Sequence, residues 1–113
     1  MHELGITQSI IDIAAEHARA QNATRVLSVT VEIGGLSGVI PDAVEFCFEA
    51  CSKETLLDGA RLIIDYLPGR ARCAACDWED RIDTLTYACP ACGNLALTRL
   101  QGDELRVKEL EID

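Results

Sequence analysis

The chain has 113 residues, ten Lys+Arg against 19 Asp+Glu, and six Cys beside only two His. That length holds one domain, or one domain and a small module. A net charge of −9 argues against nucleic acid, which requires a basic face to neutralise phosphates, and against an anionic membrane surface; an apolar content of 49% is too high for an acidic disordered chain.

Residues 4–21 read as a helix. Ile6, Ile10, Ile13, Ala14 and His17 recur at helical spacing on one face, with Asp12, Glu16 and Arg19 on the other, and Asn22 is the expected stop. Residues 24–34 change to period two, with Leu27, Val29, Val31 and Ile33 pointing one way and Ser28, Thr30 and Glu32 the other, up to Gly34-Gly35. A loop from Leu36 to Pro41 leads into Asp42-Ala43-Val44-Glu45, which has capping-box spacing and is expected to open a second helix over 43–57. Val44, Cys47, Phe48 and Cys51 form its apolar stripe, Glu49 and Lys53 a supporting pair, and Asp58-Gly59 its end. Residues 60–67 alternate again, with Leu62, Ile64 and Tyr66 on one face, until Pro68-Gly69. After Gly102 a last strand begins. Leu105 and Val107 share one parity and Leu110 and Ile112 the other, so a β-bulge is expected near Lys108-Glu109. The predicted architecture is an α+β fold, two helices packed on a small three-stranded sheet, with a four-cysteine zinc-ribbon module inserted before the last strand. The expected domains are 1–69 with 101–113, and 70–100.

The inserted segment holds Cys73-Ala74-Ala75-Cys76 and Cys89-Pro90-Ala91-Cys92-Gly93, two CxxC pairs twelve residues apart. Such spacing aims four thiolates at one soft divalent metal. Gly93 is expected to supply the positive φ of the second knuckle. Trp78, Ile82, Leu85 and Tyr87 are candidates for a very small core, which bound metal would have to stabilise. With every position thiolate, the site reads as structural Zn(II), tetrahedral iron being the other metal such ligands accept. No uncharged run reaches the ~18–20 residues of a membrane helix, and Met1-His2-Glu3-Leu4-Gly5 has neither a basic region nor a signal-type apolar stretch. A cytoplasmic location follows as the expectation; thiols stay reduced there, so metal precedes disulfides. Cys47 and Cys51 read as small buried hydrophobes, a two-thiolate metal or redox pair being the sharper alternative. Four Arg at 70, 72, 81 and 99 face Asp77, Glu79, Asp80 and Asp83 in the module, which leaves no net basic patch. No nucleophile–base constellation and no phosphate-binding Gly loop is visible, so an enzyme is not expected.

Met1-His2-Glu3 gains meaning once a free α-amine is counted. That amine, the backbone nitrogen of His2 and its imidazole close adjacent chelate rings, a nitrogen-rich near-planar set suited to Ni(II) or Cu(II), and Glu3 adds a carboxylate or a backbone nitrogen. Met1-His2-Glu3-Leu4 running into an amphipathic helix, a strand ending in Ile33-Gly34, Pro41-Asp42 before a helix with Phe46, Phe48 and Glu49, the paired CxxC motifs and a final Gly102-Asp103-Glu104-Leu105 strand together resemble the HypA/HybF family, the nickel metallochaperones of [NiFe]-hydrogenase maturation. The resemblance covers essentially the whole chain. It implies Ni(II), as transient cargo, on Met1, His2 and Glu3, with His2 the essential side chain. It implies structural Zn(II) on Cys73, Cys76, Cys89 and Cys92, and partnership with a HypB-type nickel GTPase and the hydrogenase large-subunit precursor. Asp42 matches an acidic position that some members bring toward nickel, and serves equally as a helix cap. The alternative without nickel is an acidic zinc-ribbon adaptor.

Overall fold

The structure, a computed structural model, describes residues 2–113, with side chains from Glu3 onward. Helix α1 runs His2–Ala20. It stops where Asn22 turns left-handed (φ 60°) and the Ala23 amide donates back to the Ala18 carbonyl, a closure that satisfies the helix's last carbonyls. The buried face is Thr7, Ile10, Ile11, Ala14, Ala15 and Ala18. The predicted face is therefore rotated by part of a turn: Ile13 and His17 point out to solvent, and small alanines take the contact because they let α1 approach the sheet and the second helix closely.

Strand β1, Val26–Gly34, is central. It pairs in parallel with β2, Arg61–Leu67, and antiparallel with β6, Leu105–Ile112. Val29, Val31 and Ile33 bury completely under the helices. Ser28, Thr30 and Glu32 take the other face as expected, yet they too are buried: long side chains from β6 lie over them, Arg106 donating to the Glu32 carboxylate and Ser28 donating to Glu111. Leu27 departs from the alternation. The register with β6 slips between Val26 and Ser28, and the extra residue turns outward and stays exposed. A second slip sets Thr30 against Glu109 but Val31 against Val107, leaving Lys108 bulged where the parity change predicted it.

Helix α2 is shorter than expected, Pro41–Ser52. Its N-cap is Ile40, with no side-chain cap, and Pro41 fills the first turn, where a missing N–H costs nothing. Asp42 is thus a first-turn acid, not the cap. The helix ends before Lys53, Glu54 being left-handed (φ 63°), so Glu49 and Lys53 do not share a helix face. Val44, Cys47 and Phe48 bury as predicted, and Leu57, expected at the helix end, lies in the following turn and is fully buried. Cys51 packs at the margin of this core. In β2, Leu62 and Ile64 join the core while Tyr66 is half exposed.

A second three-stranded sheet, in the order β4-β3-β5, contains β3, Arg70–Cys73, β4, Glu79–Arg81, and β5, Leu97–Gln101. It meets the first sheet at a backbone junction. The amides of Gly34 and Leu36 donate to the carbonyls of Glu104 and Gly102, and that of Ile82 to Gly69. Gly102 holds φ at 121° and, like Gly34, leaves no room for a Cβ against the crossing backbone. The radius of gyration is 17.4 Å and the extents are 54 × 27 × 16 Å, against about 13 Å for a compact chain of this length; the second sheet projects from the end of the first.

Candidate metal centre

The two CxxC turns are built alike. In each, the residue after the second cysteine is left-handed, Asp77 at φ 62° and Gly93 at φ 74°, and its amide donates back to the first cysteine's carbonyl, Asp77 to Cys73 at 3.0 Å and Gly93 to Cys89 at 2.8 Å. Gly93 was legible for this role. Asp77 was not, although Asp is one of the few residues with a Cβ that tolerates this region. The Cys73 amide donates to Trp78 and the Cys89 amide to Asn94, which closes each loop behind its sulfurs.

These turns bring the four predicted thiols together. Cys73 and Cys92 have sulfurs 3.7 Å apart, as do Cys76 and Cys89, and all four lie within 4.8 Å of one another. A disulfide requires about 2.05 Å, whereas a metal with ~2.3 Å bonds to sulfur holds tetrahedral ligands about 3.8 Å apart. The donor set fits a tetrahedral thiophilic ion. All six cysteines are free, with Cys73 and Cys89 buried and Cys76 and Cys92 exposed. Desolvation raises the Cys89 thiol, but the amides of Cys92 and Ala91 and the neighbouring thiols outweigh it and bring it down to about 7. At Cys76 the Trp78 amide pulls down, yet desolvation and the thiols of Cys89, Cys92 and Cys73 drive it up to about 12. One thiolate forms readily and further negative charge is resisted. A bound cation supplies the missing counter-charge.

Of the expected small core around this cluster, Ile82 is buried and Trp78 half-buried, while Leu85 and Tyr87 are exposed. So few apolar contacts would leave a bound metal as the main organiser of the segment. Three of the four arginines there pair with acids, Arg70 with Glu79, Arg72 with Asp77 and Arg99 with Asp103.

Of the expected nickel ligands, Met1 and the side chain of His2 lie outside the described residues. Glu3 stands half-buried in the first turn of α1, its carbonyl accepting from the Thr7 hydroxyl at 2.6 Å. Asp42 is exposed at the start of α2. Among the described residues, the four cysteines are the one group arranged to hold a metal ion, and no helix is long and apolar enough to cross a membrane.

Comparison with known proteins agrees over the full length. Residues 1–112 match the family described as "Hydrogenase/urease nickel incorporation, metallochaperone, hypA". The hydrogenase maturation factors HypA of Geobacter metallireducens and Geobacter sulfurreducens are 52% and 50% identical, each over all of both chains. The HypA of a Nostoc species is 45% identical over all of this chain and 96% of its own. Among solved structures, the solution structure of the Ni metallochaperone HypA from Helicobacter pylori superposes with a TM-score of 0.68 at 27% identity, covering 97% of this chain and 96% of that one. With the two-helix sheet, the paired knuckles and the order of motifs all in agreement, the chain belongs to the HypA family of nickel metallochaperones.

Proposed function

We propose that this chain carries Ni(II) as cargo on Met1, His2 and Glu3 and delivers it to a [NiFe]-hydrogenase large-subunit precursor during maturation. The same proposal assigns a structural Zn(II) to Cys73, Cys76, Cys89 and Cys92. The observation that carries it is the family match through residues 1–112; the four converging sulfurs support the zinc assignment, since a saturated thiolate tetrahedron has no open position for activated water. The function is transfer of an ion, not catalysis. Its working place is the cytoplasm, and a HypB-type nickel GTPase is its second partner. Residues 1–69 and 101–113 form the nickel domain and residues 70–100 the zinc domain.

A delivery protein must select its ion and then release it. Terminal and backbone nitrogens at the head of α1 can let go without disturbing Ile10, Ile11 and the rest of the core. The acidic excess belongs to the proposed nickel domain, because residues 70–100 carry equal numbers of basic and acidic side chains. Only deprotonated nitrogens coordinate, so nickel affinity falls as pH is lowered. Titration of untagged wild type and His2→Ala with Ni(II) at two pH values, with zinc content measured alongside, tests the assignment. Loss of nickel binding at constant zinc is expected; unchanged nickel affinity in His2→Ala overturns it.

A further inference from the structure

Helix α1 begins at His2, so His2 and Glu3, two of the proposed nickel ligands, stand in its first turn. The amides of a first turn have no acceptor within the helix, and an ion can take them without breaking a helical bond. Their torsions are less accommodating. A chelate ring through two successive backbone nitrogens is nearly flat and needs the N–Cα–C–N torsion between them close to eclipsed, whereas a helix sets that torsion, ψ, at about −42°. An ion held by the backbone nitrogens of both His2 and Glu3 therefore takes His2 out of helical conformation, and the first turn unwinds.

Two residues bear on that unwinding, in opposite senses. Gly5 is helical and exposed. A Cβ there would meet nothing within 4 Å among the described residues, and its φ is not positive, so neither packing nor backbone geometry calls for glycine. What glycine does here is weaken the turn, because it gives up more conformational freedom in a helix than alanine does. The neighbouring side chains add little to hold it, Leu4 being 48% exposed. Thr7 acts the other way. It is fully buried, and its hydroxyl donates to the Glu3 carbonyl at 2.6 Å. When that carbonyl swings away, the hydroxyl is left in the core without a partner, which costs more than losing a solvated hydrogen bond. Thr7 thus ties the first turn to the buried face of the helix.

We propose that residues 2–5 form a detachable turn through which nickel is taken up and given out, with Gly5 its weak point and Thr7 its clasp. This role rests on the nickel assignment to Met1, His2 and Glu3. Closed, the turn holds the nitrogens of His2 and Glu3 at helical angles. Open, it lets the chain end wrap the ion. Binding is then coupled to opening, and whatever favours the closed turn lowers nickel affinity by the factor with which it depletes the open form. Gly5 and Thr7 are positioning residues. Neither touches the ion, and together they set how readily the ligands before them can be arranged around it.

Variants of the untagged full chain test this with Ni(II) titration, uptake kinetics and hydrogen exchange. Gly5→Ala strengthens the closed turn and is expected to weaken nickel binding about fivefold, through slower uptake at unchanged release. Thr7→Val keeps the side-chain shape without the hydroxyl and is expected to tighten binding about fivefold, since opening no longer strands a buried donor. Thr7→Ser restores the hydroxyl and returns affinity to the wild-type value. Hydrogen exchange reads the turn with no nickel present. In a helix the amides of Ile6 and Thr7 bond to the carbonyls of His2 and Glu3, four residues back. They are expected to exchange more slowly in Gly5→Ala and faster in Thr7→Val, and adding Ni(II) to wild type speeds exchange at Ile6. A wild type that binds no nickel overturns the nickel assignment and the detachable turn with it. If wild type binds nickel and His2→Ala does not, but Gly5→Ala and Thr7→Val leave affinity unchanged or shift it in the same direction, the turn alone is overturned. Slower Ile6 exchange on nickel loading overturns it as well.

Discussion

At single residues the informative positions are those where the backbone takes an unusual path. Asp77 and Gly93 make the same left-handed bend behind the two cysteine pairs, and only one of them is glycine. Gly93→Ala places a Cβ in that region and is expected to cost about 1 kcal/mol, while Asp77→Gly relieves the corresponding strain; zinc competition measured on both variants checks the opposite signs. Asp113 gives a pH signature. The Thr24 hydroxyl donates to its carboxylate, and the amides of Arg25 and Thr24 add to this, holding the group below the ordinary value of 3.8. A carboxylate depressed in the folded state stabilises the fold above its ordinary value, and that contribution is lost as pH falls through the folded value. Asp113→Asn is therefore expected to be less stable than wild type near neutrality and to converge with it in acid. Denaturant curves followed by helix signal, with chelator present throughout, check this.

Among the elements, the helices show where periodicity succeeds and where it misleads. The spacing of Ile6, Ile10 and Ala14 located α1, but the helix turns Thr7, Ile11 and Ala18 inward and leaves Ile13 exposed. An alanine and an isoleucine score differently on any apolar scale, yet close approach to a second helix favours the smaller one. Helix α2 was read too long because its end was placed at Asp58-Gly59, whereas it stops at Ser52. The chain actually turns at Lys53-Glu54, with the Thr55 hydroxyl donating to the Ser52 carbonyl at 2.6 Å, and Leu57 is fully buried with the core. Leu57→Ala is expected to cost about 2–5 kcal/mol, as much as a central-strand residue, and thermal denaturation measures it. The bulge in β6 was legible because a strand with one buried face cannot change parity without one.

For the whole molecule, the elongated shape separates two ways of being stable. The end with α1, α2 and β1 carries the large apolar core, while the cysteine sheet buries little beyond Ala71, Ile82 and its two inner sulfurs. Chelation of the metal proposed at the four cysteines is therefore expected to unfold residues 70–100 first. Trp78, the single tryptophan, shifts its emission to the red while the helical circular dichroism signal persists. Loss of both signals together, or of neither, contradicts this division of stability.

Much was determined by sequence alone. Element types follow from period, since a helix and a strand bury different spacings of apolar residues. The four sulfurs follow from CxxC spacing, and the family from the order of motifs. Tertiary structure decided what depends on neighbours: which flank of α1 is inside, why Ser28, Thr30 and Glu32 bury beneath β6 side chains, and how crossing backbones at Gly34 and Gly102 dock one sheet against the other. These depend on residues from β6 reaching ones some eighty positions earlier, as Glu111 does at Ser28. Local periodicity carries no record of such a partner, because the contact exists only once the chain has folded.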